Sequence, residues 1–375
     1  MSTVNLDSRS GAVGTVDERL RRRSRMRSWF ARPELGSLGG AVLVFLFFAI
    51  TARGTGMFAA DGVISWATVS AQLAILAVGA ALLMIAGEFD LSIGSMIGFA
   101  GMMIVIPTVH YGVPLGLSLV IAFAGALLVG YVNGIIVVRT RLPSFIVTLA
   151  FLFILRGLTI ALSVLFTNRT IVGGLRTYSE PSVLGWLFGG KAGAPLFAAL
   201  ADHGVIGKLP SGAPVVGGVP MVIIWALVLV AIAGFVLNRT PVGNWIFAAG
   251  GDANAARSMG VPVARVKIGL FMLSASLATL YAACQVMEFG SAAADRGLLK
   301  EFEAIIAAVI GGCLLTGGYG SVMGAALGAL IFGVVQIGIL FTGINNDWFR
   351  VFLGLMLLIA VLFNTYVRRL VTGER

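Results

Sequence analysis

Two carboxylates two residues apart in apolar surroundings are the first candidates for chemistry in this chain. Glu88 and Asp90 stand in the stretch LMIAGEFDLSIGSMIG, with Ser92 and Ser95 just after them and Gly87, Gly94 and Gly98 spaced through it. Apolar runs lie on both sides, so the acids sit beside or within segments long enough to cross a bilayer. An ionisable group there is costly and by default marks a substrate path, a gate or a proton relay. Glycines beside it let the helix break, and broken backbone at membrane depth persists only where it lines a protein-enclosed cavity. The competing reading is a tight turn with both acids in water.

Other polar side chains lie inside apolar runs. Arg156, in FLFILRGLTIALSVL, must face the bundle interior, snorkel or pair with an acid. Asn133, in LVGYVNGIIVV, lies between Gly130 and Gly134, which are spaced for close helix packing. Its amide can bond across helices or touch a polyhydroxylated ligand. Phe145 and Thr148 follow Pro143, which marks a helix start. Gln285 and Gln336 read as links between helices.

Nothing here resembles enzyme chemistry. No phosphate-binding loop of the form GxxxxGK[ST] occurs, and neither Gly250-Gly251 nor Gly317-Gly318 is followed by lysine. His110 and His203 are isolated, and Cys284 and Cys313 lie in apolar segments as small packing residues, so no metal spacing exists.

These residues are carried by an apolar chain of 375 residues, 58% hydrophobic and 11% charged, with 50 glycines and a mean hydropathy of +1.00. A soluble core cannot hide so much apolar surface, and runs of about 20 apolar residues span a bilayer. The expected fold class is all-α, a polytopic transmembrane helical bundle. About ten spans are expected: 37–52, 63–86, 92–109, 114–138, 144–166, 219–237, 268–287, 303–315, 322–341 and 349–366. An even number puts both termini on one side. On that assignment the inner segments hold seventeen Lys/Arg and the outer segments seven, so both termini are expected in the cytoplasm. The net charge of +10 is therefore a topology signal, not a nucleic-acid surface.

Residues 1–36 read as a basic, partly disordered cytoplasmic tail, 37–366 as the membrane domain and 367–375 as a second cytoplasmic tail. The basic tail lacks the layout of a secretory signal. Between spans, 167–218 is a long outer loop with apolar islands at 186–188 and 195–200, and 288–303 is an outer connection mixing acids and bases. The inner connection 238–267 contains a helix-forming run at 253–259, with Asp252 placed to cap it and Gly260 and Pro262 to stop it. A short capped helix at the inner face, offering Ala255, Ala256 and Met259, suits a groove on a partner. GEFDLSIGS with Gly98 is echoed by 312–321 with Gly324, each opening an apolar run, as a parallel internal repeat would.

Four ordered stretches together resemble the permease subunits of ribose/xylose-type bacterial ABC importers: GEFDLSIGS, then Asn133-Gly134 with LPSFIVTL and Arg156-Gly157, then TPVGNWIFAAGGDANAARSMGVPVARVK, then IAAVIGGCLLTGGYGSVMGAALG. The resemblance spans about residues 60–366. It implies a multi-pass protein of the bacterial inner membrane that holds no cofactor. ATP and Mg would bind a separate cytoplasmic ATPase subunit. A periplasmic sugar-binding protein would deliver the substrate, and a second permease copy would complete the pore. The substrate path or gate would involve Glu88, Asp90, Ser92, Ser95, Asn133, Phe145 and Thr148. The ATPase would dock on Gly251, Asp252, Ala255, Ala256, Arg257, Met259 and Gly260. Two departures from the family pattern stand out: Glu88-Phe89 precedes Asp90 where glycine-isoleucine is usual, and the loop 167–218 has the extended form. The rival from another class is an ion-coupled secondary transporter that uses Glu88 and Asp90 as its relay.

Overall fold

A computed structural model of the chain describes residues 33–343 together with positions 345, 348, 349, 351–356, 358, 359 and 362. The basic tail, the last tail and part of the expected span 349–366 lie outside the described residues. Eight described helices are long and apolar enough to cross a membrane. They are α1 (Pro33–Thr51), α2 (Ala60–Ile85), α3 (Ile93–Tyr111), α4 (Leu115–Thr140), α5 (Ser144–Thr167), α9 (Met221–Arg239), α12 (Val263–Phe289) and α14 (Val322–Phe341).

The punctuation is the chain's own. Pro114, Pro143, Pro220 and Pro262 each precede a helix, where the missing N–H costs nothing. Gly112 and Gly290 end α3 and α12 in the left-handed conformation that caps helix carbonyls. α2 is apolar on every side and buried along most of its length, as such a helix must be. It packs on α14, α9, α12 and α13, which makes it the bundle's central element. Against it, α12 lies along α4 and α3. Gly130 and Gly134 allow that approach: a Cβ on them would come within 2.5 Å and 2.8 Å of the Met272 and Ile268 Cα atoms.

The region 167–218 is built, not a plain loop. It holds β1 (Ile171–Gly173), α6 (Arg176–Ser179), α7 (Val183–Gly189), β2 (Lys191–Ala192) and α8 (Ala194–Asp202); the two apolar islands fall in α7 and α8. β2 pairs with β3 (Val219–Pro220). Trp225 of α9 stacks on Phe188 and donates its indole N–H to the Leu187 carbonyl, which fixes α7 on the bundle.

Two expectations are corrected. The connection 238–267 is nearly all helix: α10 (Pro241–Gly251), α11 (Ala253–Ser258) and then the first turn of α12, which already includes Arg265 and Lys267. The stretch 288–303 is no outer connection, and 303–315 is no full span. After Gly290 the chain forms β4 (Ser291–Ala293), antiparallel to β1, and runs back into the bundle along α3. Gly101 of α3 faces Ala292, Gly98 faces the Ala294 and Arg296 carbonyls, and Gly94 faces Gly297 and the Glu301 carboxylate. Only then does α13 (Lys300–Ile310) begin. Its 11 residues reach ~16 Å, about half of a hydrocarbon core. Part of the charge that suggested exposure is absorbed inside: Glu301 and Glu303 are buried, Lys300 pairs with Glu303, and Arg296 lies 4.4 Å from the centre of the Phe289 ring, while Glu288 and Asp295 stay exposed.

Helix ends rich in arginine and lysine collect at one end of the bundle. Gly134 packs on Ile268, so Arg139 and Arg141 lie beside the start of α12 with Arg265 and Lys267. We call this the basic end.

Candidate functional site

At the basic end, α2 closes with a complete cap. Gly87 takes a left-handed φ of 80°; its N–H donates to the Met84 carbonyl, and the Glu88 N–H donates to Leu83. That pairing turns the chain out of the helix and leaves a seven-residue break, 86–92, before α3. The amides of the break are taken by side chains. Phe89 N–H donates to Ser144 Oγ and Leu91 N–H to Thr148 Oγ1, each at 3.0 Å. Both acceptors stand on the first turns of α5, one helical turn apart. Ser92 N–H donates to Asp90 Oδ1 at 2.9 Å.

Asp90 is the knot. Its Oδ1 also accepts the Ser92 hydroxyl at 2.5 Å, and its Oδ2 accepts Ser274 Oγ of α12 at 2.8 Å. The Asn133 amide of α4 donates to Ser92 Oγ at 3.1 Å. One carboxylate thereby ties together the break, the start of α3, α4 and α12. At 5% exposure it does not face lipid. Glu88 is buried as well, and its Oε1 forms an ion pair with Lys267 Nζ on the first turns of α12. Ser274 stands seven residues deeper on α12 than Lys267, ~10 Å along the helix.

The expected site residues divide by position. Glu88, Asp90, Ser92, Asn133 and Thr148 converge on the break. Ser95 is buried nearby on α3, and its hydroxyl finds no hydrogen-bond partner among the described residues. Phe145 does not join them: it stands half exposed on the outer side of α5. Arg156 has Nε and Nη2 buried without hydrogen-bond partners among the described residues and within electrostatic reach of Glu301. Ser144, Ser274 and Lys267 were not legible from sequence as members of this site. Ser144, directly after Pro143, carried the only local signal.

A second candidate site lies at the same end. Asp252 caps α11, accepting the Asn254 and Ala255 N–H groups at 2.9 and 3.0 Å. These bonds, Ala255's foremost, hold its carboxyl below the usual range. Arg257 reaches back to Asn254 Oδ1. Gly251, Ala255, Arg257, Gly260 and Met259 are exposed, Met259 at 84%. Ala256 is turned the other way: it is buried against Ala249 and Val263 and supports α11 from beneath. Among the described residues no cluster of His, Cys, Asp or Glu is arranged to hold a metal ion.

Residues 62–361 match the family model described as branched-chain amino acid transport system / permease component. The chain belongs to this permease family. The permease is 30% identical over 364 residues to the xylose transport system permease protein XylH of Escherichia coli K12, covering 88% of this chain and 91% of that one. It is 32% identical to the fructose import permease protein FrcC of Rhizobium meliloti over 80% and 77% of the two chains. To the ribose import permease protein RbsC of Escherichia coli K12 it is 32% identical over 77% and 81%. No solved structure matches the permease. The permease is thus a transport subunit of an ABC importer and a multi-pass membrane protein, and the ion-coupled rival is not favoured.

Proposed function

We propose that this permease carries a sugar or polyol across a bacterial inner membrane, with a periplasmic binding protein delivering it. A separate cytoplasmic ATPase would drive the cycle, and two permease copies would form the path. The observation that carries this reading is the near full-length likeness to permeases named for xylose, fructose and ribose. The capped, outward-facing α11 supports it, since the exposed Met259 that closes this short helix is a knob for a partner groove. Alternating access then rests on the break. Substrate hydroxyls need only passing hydrogen bonds, because a path that held them tightly would not release them. Beside the break, Ser95 Oγ and Asn133 Oδ1 have no hydrogen-bond partner among the described residues and are the groups left over for such bonds once the helices part.

The test is reconstitution with the ATPase and binding protein in proteoliposomes, followed by uptake of labelled xylose, ribose, fructose and leucine. ATP-dependent uptake of one of the sugars, insensitive to collapse of proton and sodium gradients, is expected. Uptake that follows an ion gradient revives the rival, and uptake of leucine alone refutes the sugar assignment. Docking is tested by Met259→Asp, which should lose the ATPase on co-purification without a change in melting temperature.

A further inference from the structure

The segment between α9 and α12, together with the first turns of α12, touches the break in two ways. The first is backbone against backbone. The Gly318 N–H, between α13 and α14, donates to the Ile85 carbonyl at the end of α2 at 2.8 Å. A Cβ on Gly250 of α10 would lie 1.8 Å from that same carbonyl, and one on Gly317 would lie 2.8 Å from both the Gly87 Cα and the Gly250 oxygen. The ends of α2 and α10 and the connection between α13 and α14 therefore meet at a point where no side chain fits. The second contact is the largely buried ion pair between Glu88, in the break, and Lys267, 179 residues away on α12, whose side chains keep 10% and 15% of their surface exposed.

A buried ion pair is a poor source of net stability, because desolvating two charges offsets their attraction; its best-attested use is to fix register or a switch. Here its two ends belong to the elements whose relative movement matters. Lys267 stands one turn into α12, directly after α11 and its stop at Gly260 and Pro262. Glu88 stands two residues before Asp90, which binds α4, α5 and α12 into the break through Ser92, Ser274 and its neighbours. A displacement of α11 and the first turns of α12 pulls on the break through a charged contact that is screened much less than a surface pair.

We infer that Glu88 and Lys267 are positioning residues that carry movement of the docking segment to the break, a role that rests on α11 being the ATPase-docking helix. Glycine at 87, 250, 317 and 318 keeps the joint thin enough for the pair to set its geometry.

The test uses the full importer in proteoliposomes, with substrate uptake divided by ATP hydrolysed as the readout. Glu88→Gln and Lys267→Met should each lower that ratio by about tenfold, the scale of ordinary coupling between two sites. The swap Glu88→Lys with Lys267→Glu should recover most of it. ATPase co-purification and melting temperature are measured on the same preparations. Singles with a lowered melting temperature but an unchanged ratio mark a purely structural pair and overturn the inference. So does a swap that stays as low as the singles at a normal melting temperature. If the singles fail to fold, Glu88→Asp decides: it keeps the charge and shortens the reach by one methylene. A lowered ratio at unchanged melting temperature then supports the inference, and an unchanged ratio overturns it. An ATPase that does not co-purify with the wild-type permease refutes the docking reading instead, whatever the variants do.

Discussion

Asp90 accepts three hydrogen bonds, from one backbone amide and two hydroxyls, and every one of them is buried. Asparagine in its place keeps one acceptor and turns an amide NH2 toward groups that were donating. Asp90→Asn should therefore insert normally but import poorly; uptake equal to wild type would reduce Asp90 to a turn residue. Ser274→Ala removes a single donor from a buried carboxylate and should cost about 1.5–3 kcal/mol, read as a lower melting temperature in detergent. Thr148→Val is a finer probe. It leaves the Leu91 N–H without its acceptor, at a cost of about 1–3 kcal/mol, while the valine fills the same space. If Thr148→Val melts like wild type, the break does not depend on the α5 hydroxyls.

At the level of elements, the long helices were legible because apolar length and proline or glycine punctuation are local signals. Expected limits at 144–166 and 322–341 fall within a residue of α5 and α14. The half-length α13 was not legible. Its apolar run continues into Gly311, Gly312 and Cys313, so a hydropathy window sees a span, whereas the backbone turns at Gly312 with φ 90°. Nor could sequence pair Glu88 with Lys267 or Ser274 with Asp90, since neither partner lies on the same element. A serine within a helix most often bonds to its own preceding turn. Ala256 shows the reverse error: its neighbours Ala255 and Met259 face outward, and helical geometry alone does not say which side of α11 lies on the bundle. The cap on α11 gives the element-scale prediction. The Asp252 carboxyl is held below the usual range by the Ala255 and Asn254 amides, so its stabilisation is present above the unfolded value near ~3.9 and is lost as pH falls through the lower folded value. ATPase binding should thus be flat from neutral to mildly acidic pH in the wild type. Asp252→Ala should weaken co-purification at every pH, and Asp252→Ser, which still caps, should restore it. Equal binding by all three would dissociate the cap from docking.

For the whole molecule, the arrangement of charge decides which way the bundle faces. The basic end gathers Arg139, Arg141, Arg239, Arg257, Arg265 and Lys267. The structure adds where α1 enters: Glu34, in its first turn, accepts the Ser321 hydroxyl at 2.7 Å, and Ser321 caps α14 beside the break. The eight arginines of residues 1–32 therefore precede a helix that starts at this same end. The opposite end carries Arg53, Arg169, Arg176, Lys191 and Lys208 among the acids Asp61, Glu180 and Asp202. Positive charge near short connections stays on the cytoplasmic side during insertion, so the basic end should face the cytoplasm and the 167–218 region the outside. Cysteine labelling reads this directly, because the native Cys284 and Cys313 are both buried and give little background. A membrane-impermeant maleimide added to intact, outer-membrane-permeabilised cells should modify Ser211→Cys, in the exposed turn after α8, and spare Ser258→Cys on α11. Inverted vesicles should give the opposite pattern. Labelling of Ser258→Cys from outside would turn the molecule over, and with it would go the docking of an ATPase on α11 and any transmission through Lys267 to the break.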